Sequence, residues 1–475
     1  MYQKIVIAQD IGELKYILKN IKERNYYCLP LNFELQFYCE KNNIPFIDIS
    51  KFSNNKIHKK IQENTEIILR KNNIKFLKLE SIKKNYYRWL EHKLTSFFLL
   101  YFIISSIKKK NKIKKIFTSG WNKTTIYYGK NYFISIFLKK LFKSIKVVTV
   151  TPILKDILIA NNTKLYYIKF NIKKNKKKLI FLNNLSYNFK KLLFWGLQNN
   201  YSVVVPFYKK ISIFKKIFFT FFKIYPLEII EQIDVKKNKN VKKNLPIKLP
   251  KIRFKGFEIS EIIYQNKIKM INYFTNEQNK VLTVKDVFKN NSFELIASNM
   301  ALGIDGGYLE IGRKLNIKTL NIPHGSLNEH FSKEGKIFNN NMSKRINYSK
   351  HAINAMQSKI SLDFIKKNNI KKKNYIISGN LIFNSKAKGN GKSILYALKN
   401  KEFWSYRSIG VETFYETLNL LSKINILAKN IEEKIYVKPH PGNFNSIEDF
   451  KIRYKNLHFT KESNKSLFKK IYVTI

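Results

Sequence analysis

Short apolar runs alternate with longer stretches of helical period from the start of the chain. Lys4–Ala8 reads as a strand, Asp10–Lys22 as a helix capped by Asp10, and Tyr26–Leu31 as a second strand. Phe33–Asn42 has helical spacing and Ile44–Ile49 returns to a strand. Helices are expected over Lys56–Lys71 and Ile82–Lys110, then strand Lys115–Thr118, helix Tyr132–Lys143 and strand Val147–Thr151. Strands separated by helices of this length build βαβ units and parallel sheets. Tyr166–Phe170, Leu179–Leu182 and Ser202–Pro206 are further strand candidates in a less regular stretch. The alternation sharpens again with strand Phe293–Ala297, helix Tyr308–Leu315 and strand Lys318–Ile322. Ala352–Met356, helix Ser361–Asn368 and strand Tyr375–Ser378 continue it. After Ser385–Lys392, a polar break read as a linker, come strand Ile394–Leu398, a helix from Val411 to Asn430 and strand Lys434–Lys438. Leu457–Thr460 and Ile471–Ile475 complete the series.

A chain of 475 residues exceeds the size of a single core, so at least two domains are expected, 1–387 and 391–475. The second would hold four strands and no closing helix, so either it is C-terminally incomplete or it is an unusually small domain. Hydrophobic residues, at 44 %, exclude a disordered chain. The net charge of +58 directs attention to anionic partners: an acidic small molecule, an anionic membrane surface or a nucleic acid. Lysines are scattered through nearly every segment and no helix-turn-helix, zinc or RNP-type pattern is present, which argues against nucleic acid. Two cysteines, Cys28 and Cys39, exclude a disulfide framework and fit a reducing compartment. The opening residues lack a secretory pattern, and Leu94–Ile107 falls short of the roughly 20 residues that span a bilayer. A cytoplasmic protein, soluble or peripheral on the inner face of the membrane, is expected.

Two histidines stand just past strand patterns, where open α/β sheets bind ligands. His324 lies in Pro323-His324-Gly325, and His440 in Pro439-His440-Pro441-Gly442. Such turns bring backbone N–H groups and an imidazole toward an anion together. Gly303-Ile304-Asp305-Gly306-Gly307 sits between a strand and a helix, so Asp305 either points into a ligand crevice or caps the helix. Glu310, read onto the first turn of that helix, either faces the same crevice or answers the helix dipole. Gly389-Asn390-Gly391-Lys392-Ser393 lacks the first P-loop glycine and precedes a strand, so it reads as a hinge. Lys209–Tyr225 is basic and aromatic at helical spacing; it reads as a membrane-interface helix or as a core helix with snorkelling lysines.

The order Pro323-His324-Gly325, Gly379-Asn380, linker, strand, long helix and Val437-Lys438-Pro439-His440-Pro441-Gly442 resembles the GT-B glycosyltransferases that build bacterial surface polysaccharides. These include capsule and lipopolysaccharide transferases, sialyl- and Kdo-transferases, and CDP-glycerol glycerophosphotransferases. The resemblance covers about 290–475 in motifs. It implies two Rossmann-like domains facing a cleft. It implies donor-phosphate binding at His440, a place at the interdomain cleft for His324 and a base at the position of Asp305. Together with the residue reading this gives a donor set of His440, Lys438, Gly442 and Gly379 and a catalytic set of Asp305, His324 and Glu310. The acid-acid-Gly motif of the sialyltransferase branch is represented by Ile304-Asp305-Gly306, with one acid. The implied reaction moves a sugar from a CMP- or UDP-linked donor to a glycan or lipid-linked acceptor. No metal is expected, since no carboxylate pair has metal spacing, and no cofactor beyond the donor. A nucleotide-sugar 2-epimerase shares the fold, but its Ser-Gly-Gly-x-x-Glu-Glu pattern is not seen. A basic nucleic-acid-binding protein and an inactive fragment stay open as well.

Overall fold

The computed structural model describes residues 2–8, 10–31, 33–52, 55–119, 134–150, 164–170, 178–186, 189–232, 247–264, 267–323, 347–358, 374–379, 391–398, 414–439, 447–462, 466–467 and 470–474, with single positions at 361, 363 and 366. His324, His440 and Gly442, the expected helix Ser361–Asn368 and most of the expected linker lie outside that set or are only partly within it.

The fold is α/β, built on parallel sheets. The first sheet has the order β2-β1-β3-β4, with β1 Lys4–Ile7, β2 Tyr27–Leu29, β3 Lys115–Ser119 and β4 Lys146–Val150, all parallel. Its helices are α1 Ile11–Asn20, α2 Phe33–Lys41, α3 Asn55–Lys71, α4 Glu80–Lys110 and α5 Ile134–Leu141. Asp10 caps α1 as expected, its Oδ1 accepting from the Glu13 N–H at 2.7 Å. The expected strand at Ile44–Ile49 is reduced to a single bridge between Phe46 and Cys28, followed by a 3-10 turn at Ile49–Phe52. By length and composition α4 is the one described helix apolar enough to cross a bilayer, and 67 % of its most apolar window is buried within the structure. Phe97 packs edge-on against Phe137 of α5 at 4.8 Å between centroids, the behaviour of a core helix.

The second sheet has eight strands in the order β14-β13-β12-β11-β6-β7-β8-β5. They are β5 Tyr166–Lys169, β6 Leu179–Leu182, β7 Ser202–Phe207, β8 Ile224–Glu231, β11 Phe293–Ser298, β12 Lys318–Asn321, β13 Ile353–Met356 and β14 Tyr375–Ile377. Only β5 runs antiparallel, against β8 at the edge. A two-stranded hairpin, β9 Arg253–Phe254 and β10 Phe257–Glu258, lies between β8 and β11 in sequence. The helices are α6 Lys190–Gln198, α7 Ile213–Phe221, α8 Ser260–Ile263, α9 Lys267–Asn290 and α10 Gly303–Lys314. Ile180, Leu182, Val203, Val205, Ala297 and Ile322 form the core of one face. Residues 1–387, read from the sequence as one lobe, thus carry a parallel four-stranded sheet and a second sheet that is parallel except at its β5 edge.

The third sheet, β17-β16-β15-β18, is parallel and comprises β15 Ser393–Leu398, β16 Ile435–Pro439, β17 His458–Phe459 and β18 Ile471–Thr474. α11 Phe414–Lys429 and α12 Ile447–Arg453 accompany it. The chain divides into two compact units. One comprises Met1–Glu66, Glu91–Ile157 and Ser385–Ile475, the other Ile67–Leu90 and Leu158–Asn384. Within the first unit α2 and α12 share an aromatic contact, Phe37 edge-on to Phe450 at 5.2 Å, and an ion pair between Glu40 and Arg453.

Two expectations are corrected, and one helix is new. The segment Lys209–Tyr225 is not one helix: α7 stops at Phe221 and Tyr225 already belongs to β8. Helix α10 begins at Gly303, not Tyr308, so the glycines lie inside it. Helix α9, 24 residues long, had no sequence expectation at all. Its buried positions include Met270, Ile271, Asn272, Phe274, Gln278, Val281, Val284 and Phe288, a pattern with no clean apolar stripe.

Candidate active site

Among the seven parallel strands of the eight-stranded sheet β6 comes first in sequence; β7 and β8 follow on one side and β11 to β14 on the other. The chain therefore reverses direction across the sheet between β6 and β11, and open α/β sheets hold ligands at the carboxyl ends of such a pair. Three polar segments converge there. Asn183 directly follows β6, Asn299 directly follows β11, and Asp305 lies in the first turn of α10.

These side chains are tied together. The Asn183 amide donates to Asn299 Oδ1 at 3.0 Å, and the Asn299 N–H donates back to Asn183 Oδ1 at 3.3 Å. Asn183 also hydrogen-bonds the Asp305 carboxyl. Asn299 reaches Ser186 Oγ at 3.5 Å. Burial raises the Asp305 pKa above the ordinary aspartate value, and the Asn183 hydrogen bond offsets only part of that. The carboxyl is thus a stronger base than an exposed aspartate.

A second group adjoins it. Tyr208, just past β7, shares a 2.9 Å hydrogen bond with Tyr308 of α10. Loss of water around the Tyr208 hydroxyl, and then the Asp305 charge, raises its pKa. Glu277 of α9 has its pKa raised by burial, opposed by Lys280 at 3.3 Å and reinforced by the charge of Asp305. The Lys280 ammonium lies 5.5 Å from the ring centroids of both Tyr166 and Tyr208. The constellation offers two carboxyls of raised pKa, a paired hydroxyl and one cation. That set can take up a proton from a hydroxyl and neutralise developing negative charge.

The glycines in this helix serve packing. A Cβ on Gly306 would fall 2.5 Å from the backbone of Ala301, and one on Gly307 would fall 2.8 Å from Val281 of α9. Gly312 is similarly hemmed in by Ile296 at 2.7 Å. These glycines let the helix approach its own neighbours closely. Gly303 alone has a positive φ, +65°, where the chain turns into α10.

Glu310 does not share the Asp305 crevice. Because α10 starts at Gly303, Glu310 lies two turns in and is buried. Its carboxylate accepts from the Ser81 N–H at 3.1 Å and the Ser81 hydroxyl at 3.3 Å, and Lys314 adds an ion pair at 3.0 Å. Ser81 opens α4, so Glu310 satisfies a free N–H of that helix and opposes its dipole. The dipole that Glu310 answers is therefore that of α4, not that of its own helix.

Lys438 lies in β16, and its ammonium donates to the Glu462 carbonyl oxygen. Gly379 follows β14 with φ +64°, and a Cβ there would meet open space. Before His324 the strand end is firmly held: Asn321 donates to Asn354 Oδ1 at 2.8 Å and to the Asn347 carbonyl at 2.7 Å, and Gln357 donates to the Pro323 carbonyl at 2.8 Å. Sequence reasoning missed Asn183, Tyr208, Glu277, Lys280 and Asn299. A polar residue immediately after an apolar strand, as at 183, 208 and 299, is the signal that points to three of them. Glu277 and Lys280 lie on α9 and carried none. Among the described residues no group of three or more His, Cys, Asp or Glu side chains forms a metal-binding cluster.

No family model matches the chain, and no curated protein matches it. Among solved structures, it is similar to the S. aureus MnaA–UDP co-structure, with 8 % identity, TM-score 0.32, and 63 % of this chain and 73 % of that chain covered. A UDP-N-acetylglucosamine 2-epimerase gives 11 % identity, TM-score 0.31 and coverage of 64 % and 74 %. The Neisseria meningitidis UDP-GlcNAc 2-epimerase bound to UDP-GlcNAc gives 11 %, 0.28, 60 % and 72 %.

Proposed function

We propose that the protein is a metal-independent glycosyltransferase of GT-B type, moving a sugar from a nucleotide-linked donor to a glycan or lipid-linked acceptor. The observation that carries the reading is Asp305: a half-buried carboxyl of raised pKa, held by Asn183 at the topological switch point of a parallel sheet. In this reading Asp305 is the general base. It accepts the proton of the acceptor hydroxyl as that oxygen bonds to the anomeric carbon of the donor. The bond from that carbon to the phosphate oxygen breaks, and the nucleotide leaves with its electron pair. Asn183 orients the carboxyl, and Lys280 offsets charge beside it.

The motif order from Pro323-His324-Gly325 to Lys438-Pro439-His440 supports a nucleotide-sugar donor. On that resemblance His440, with Lys438 and Gly442, binds the donor phosphate, Gly379 belongs to the same donor set, and His324 belongs to the catalytic set. Glu310 is left out of it, its carboxylate being committed to Ser81. The reading carries a cytoplasmic location with it, in keeping with the two cysteines, Cys28 and Cys39, both free.

The test incubates the full chain with CMP- and UDP-linked sugars, with and without glycan acceptors, and follows nucleotide release. Asp305→Asn is expected to lower turnover by about a hundredfold or more, the scale of losing a general base. Wild-type turnover in Asp305→Asn would overturn its role as base. Release of a free epimerised sugar without acceptor would replace the transferase with an epimerase.

A further inference from the structure

Helix α7 has no buried residue. At about 100° per residue, Ile213, Ile217, Phe221, Phe214 and Phe218 fall within an arc of about 140°. All five are between 61 % and 85 % exposed. The helix is nevertheless firmly seated by its other side. Phe219 packs on Phe207 of β7 at 5.6 Å, and Lys216 pairs with buried Glu228 of β8 at 2.5 Å, which also accepts from the Ile211 N–H. The outward direction of the apolar arc is therefore fixed by packing. An exposed aromatic surface of this kind marks an interaction site.

The charge around it selects the partner. Lys209 and Lys210 precede the helix, Lys215 lies beside the arc, and Lys223 follows it. None of these four makes an ion pair among the described residues. No acidic residue occurs between Lys209 and Tyr225, and the whole chain carries +58. An apolar arc of Phe and Ile bordered by unpaired lysines is the pattern of a helix lying in the headgroup region of an anionic bilayer. The rings enter the acyl boundary and the ammonium groups meet the phosphates. On α6, which covers the same face of the sheet, Phe194 and Trp195 are also exposed.

We infer that α7 is a membrane-interface helix that docks the protein on an anionic phospholipid surface. The apolar arc supplies insertion and the lysines supply attraction. The inference rests on the geometry and charge of this surface and stands whatever reaction the Asp305 cluster performs.

The full-length chain is floated with vesicles of phosphatidylcholine, alone or mixed one-to-one with phosphatidylglycerol, at low and high salt. Binding to the mixed vesicles, weakened by salt, is expected. The triple variant Phe214→Ser, Phe218→Ser, Phe221→Ser keeps the net charge and is expected to lose about tenfold or more of that affinity. An unchanged urea midpoint shows that it folds. In a separate Phe214→Trp protein, tryptophan emission is expected to shift blue on the mixed vesicles. Undiminished vesicle binding by the triple variant would assign attraction to diffuse charge and overturn the role of α7. Absence of wild-type binding, or no blue shift on bound vesicles, would overturn it as well. So would self-association of the wild type that the triple variant abolishes, which would make the occupant a second copy of the chain.

Discussion

Helices α10 and α7 pack on the same eight-stranded sheet and obey opposite rules. Eight of the twelve residues of α10 are buried, and Gly303, Gly306, Gly307 and Gly312 are among them. None of the nine residues of α7 is buried, although it carries Phe214, Phe218, Phe219 and Phe221. The helix with the smaller side chains lies deeper. A glycine surface lets a helix axis approach strand and helix closely, and that approach holds Asp305 at the strand ends. On α7 Phe219 and Lys216 hold the side that meets the sheet, and the remaining apolar arc faces outward. Apolar content thus measures what needs a partner, not what is already buried.

The sharpest way to break this comparison is to give α10 a side chain. Gly306→Ala places a Cβ 2.5 Å from the Ala301 backbone. Helix propensity favours alanine by about 1 kcal/mol, but the clash is expected to cost about 3 kcal/mol, so a net loss of stability should appear in urea unfolding. No loss would mean that α10 is less tightly seated than its glycines imply. Next, Asp305→Asn is expected to leave the fold intact while removing turnover, by about 3 kcal/mol in barrier for a hundredfold loss. Glu310→Ala should do the reverse. It leaves the Ser81 N–H without its acceptor and is expected to cost about 1–3 kcal/mol in stability, with kcat unchanged in the folded protein. A kcat defect there would return Glu310 to the catalytic set.

Smaller effects sharpen the contrast. The Asp305 pKa is raised in the fold, so the native state holds that proton more tightly than the unfolded chain. Its contribution to stability is complete below the unfolded pKa and is lost as pH rises through the folded pKa. Asp305→Asn should therefore be more stable than wild type at neutral pH, and the gain should vanish in acid, read as the difference between urea midpoints across pH. On α7, Phe214→Ser is expected to change stability by less than about 0.5 kcal/mol, because the ring touches water in both states.

The elements of regular period were legible in advance. β1, α1 with its Asp10 cap, α3, β6, β12 and β16 lie within a residue or two of where apolar spacing puts them. Helix α9 was not, because it is buried on several sides and its apolar residues mark no single face. The start of α10 was not, because Gly303-Ile304-Asp305-Gly306-Gly307 reads as a turn when helix propensity is judged without neighbours. Tight contact with Ala301, Ser81 and Val281 makes the same glycines helical.

By itself the sequence determined the alternation of strands and helices, the parallel sheets, the basic charge and the place of Asp305 between a strand and a helix. These follow from local period and composition, which each segment carries alone. Only the tertiary structure decided that Asp305 shares its surroundings with Asn183, Tyr208, Glu277 and Lys280, that Glu310 instead anchors the start of α4, and that the aromatic arc of α7 faces outward. Those outcomes depend on strand order and on which surfaces approach within van der Waals distance, and residues far apart in the chain set both.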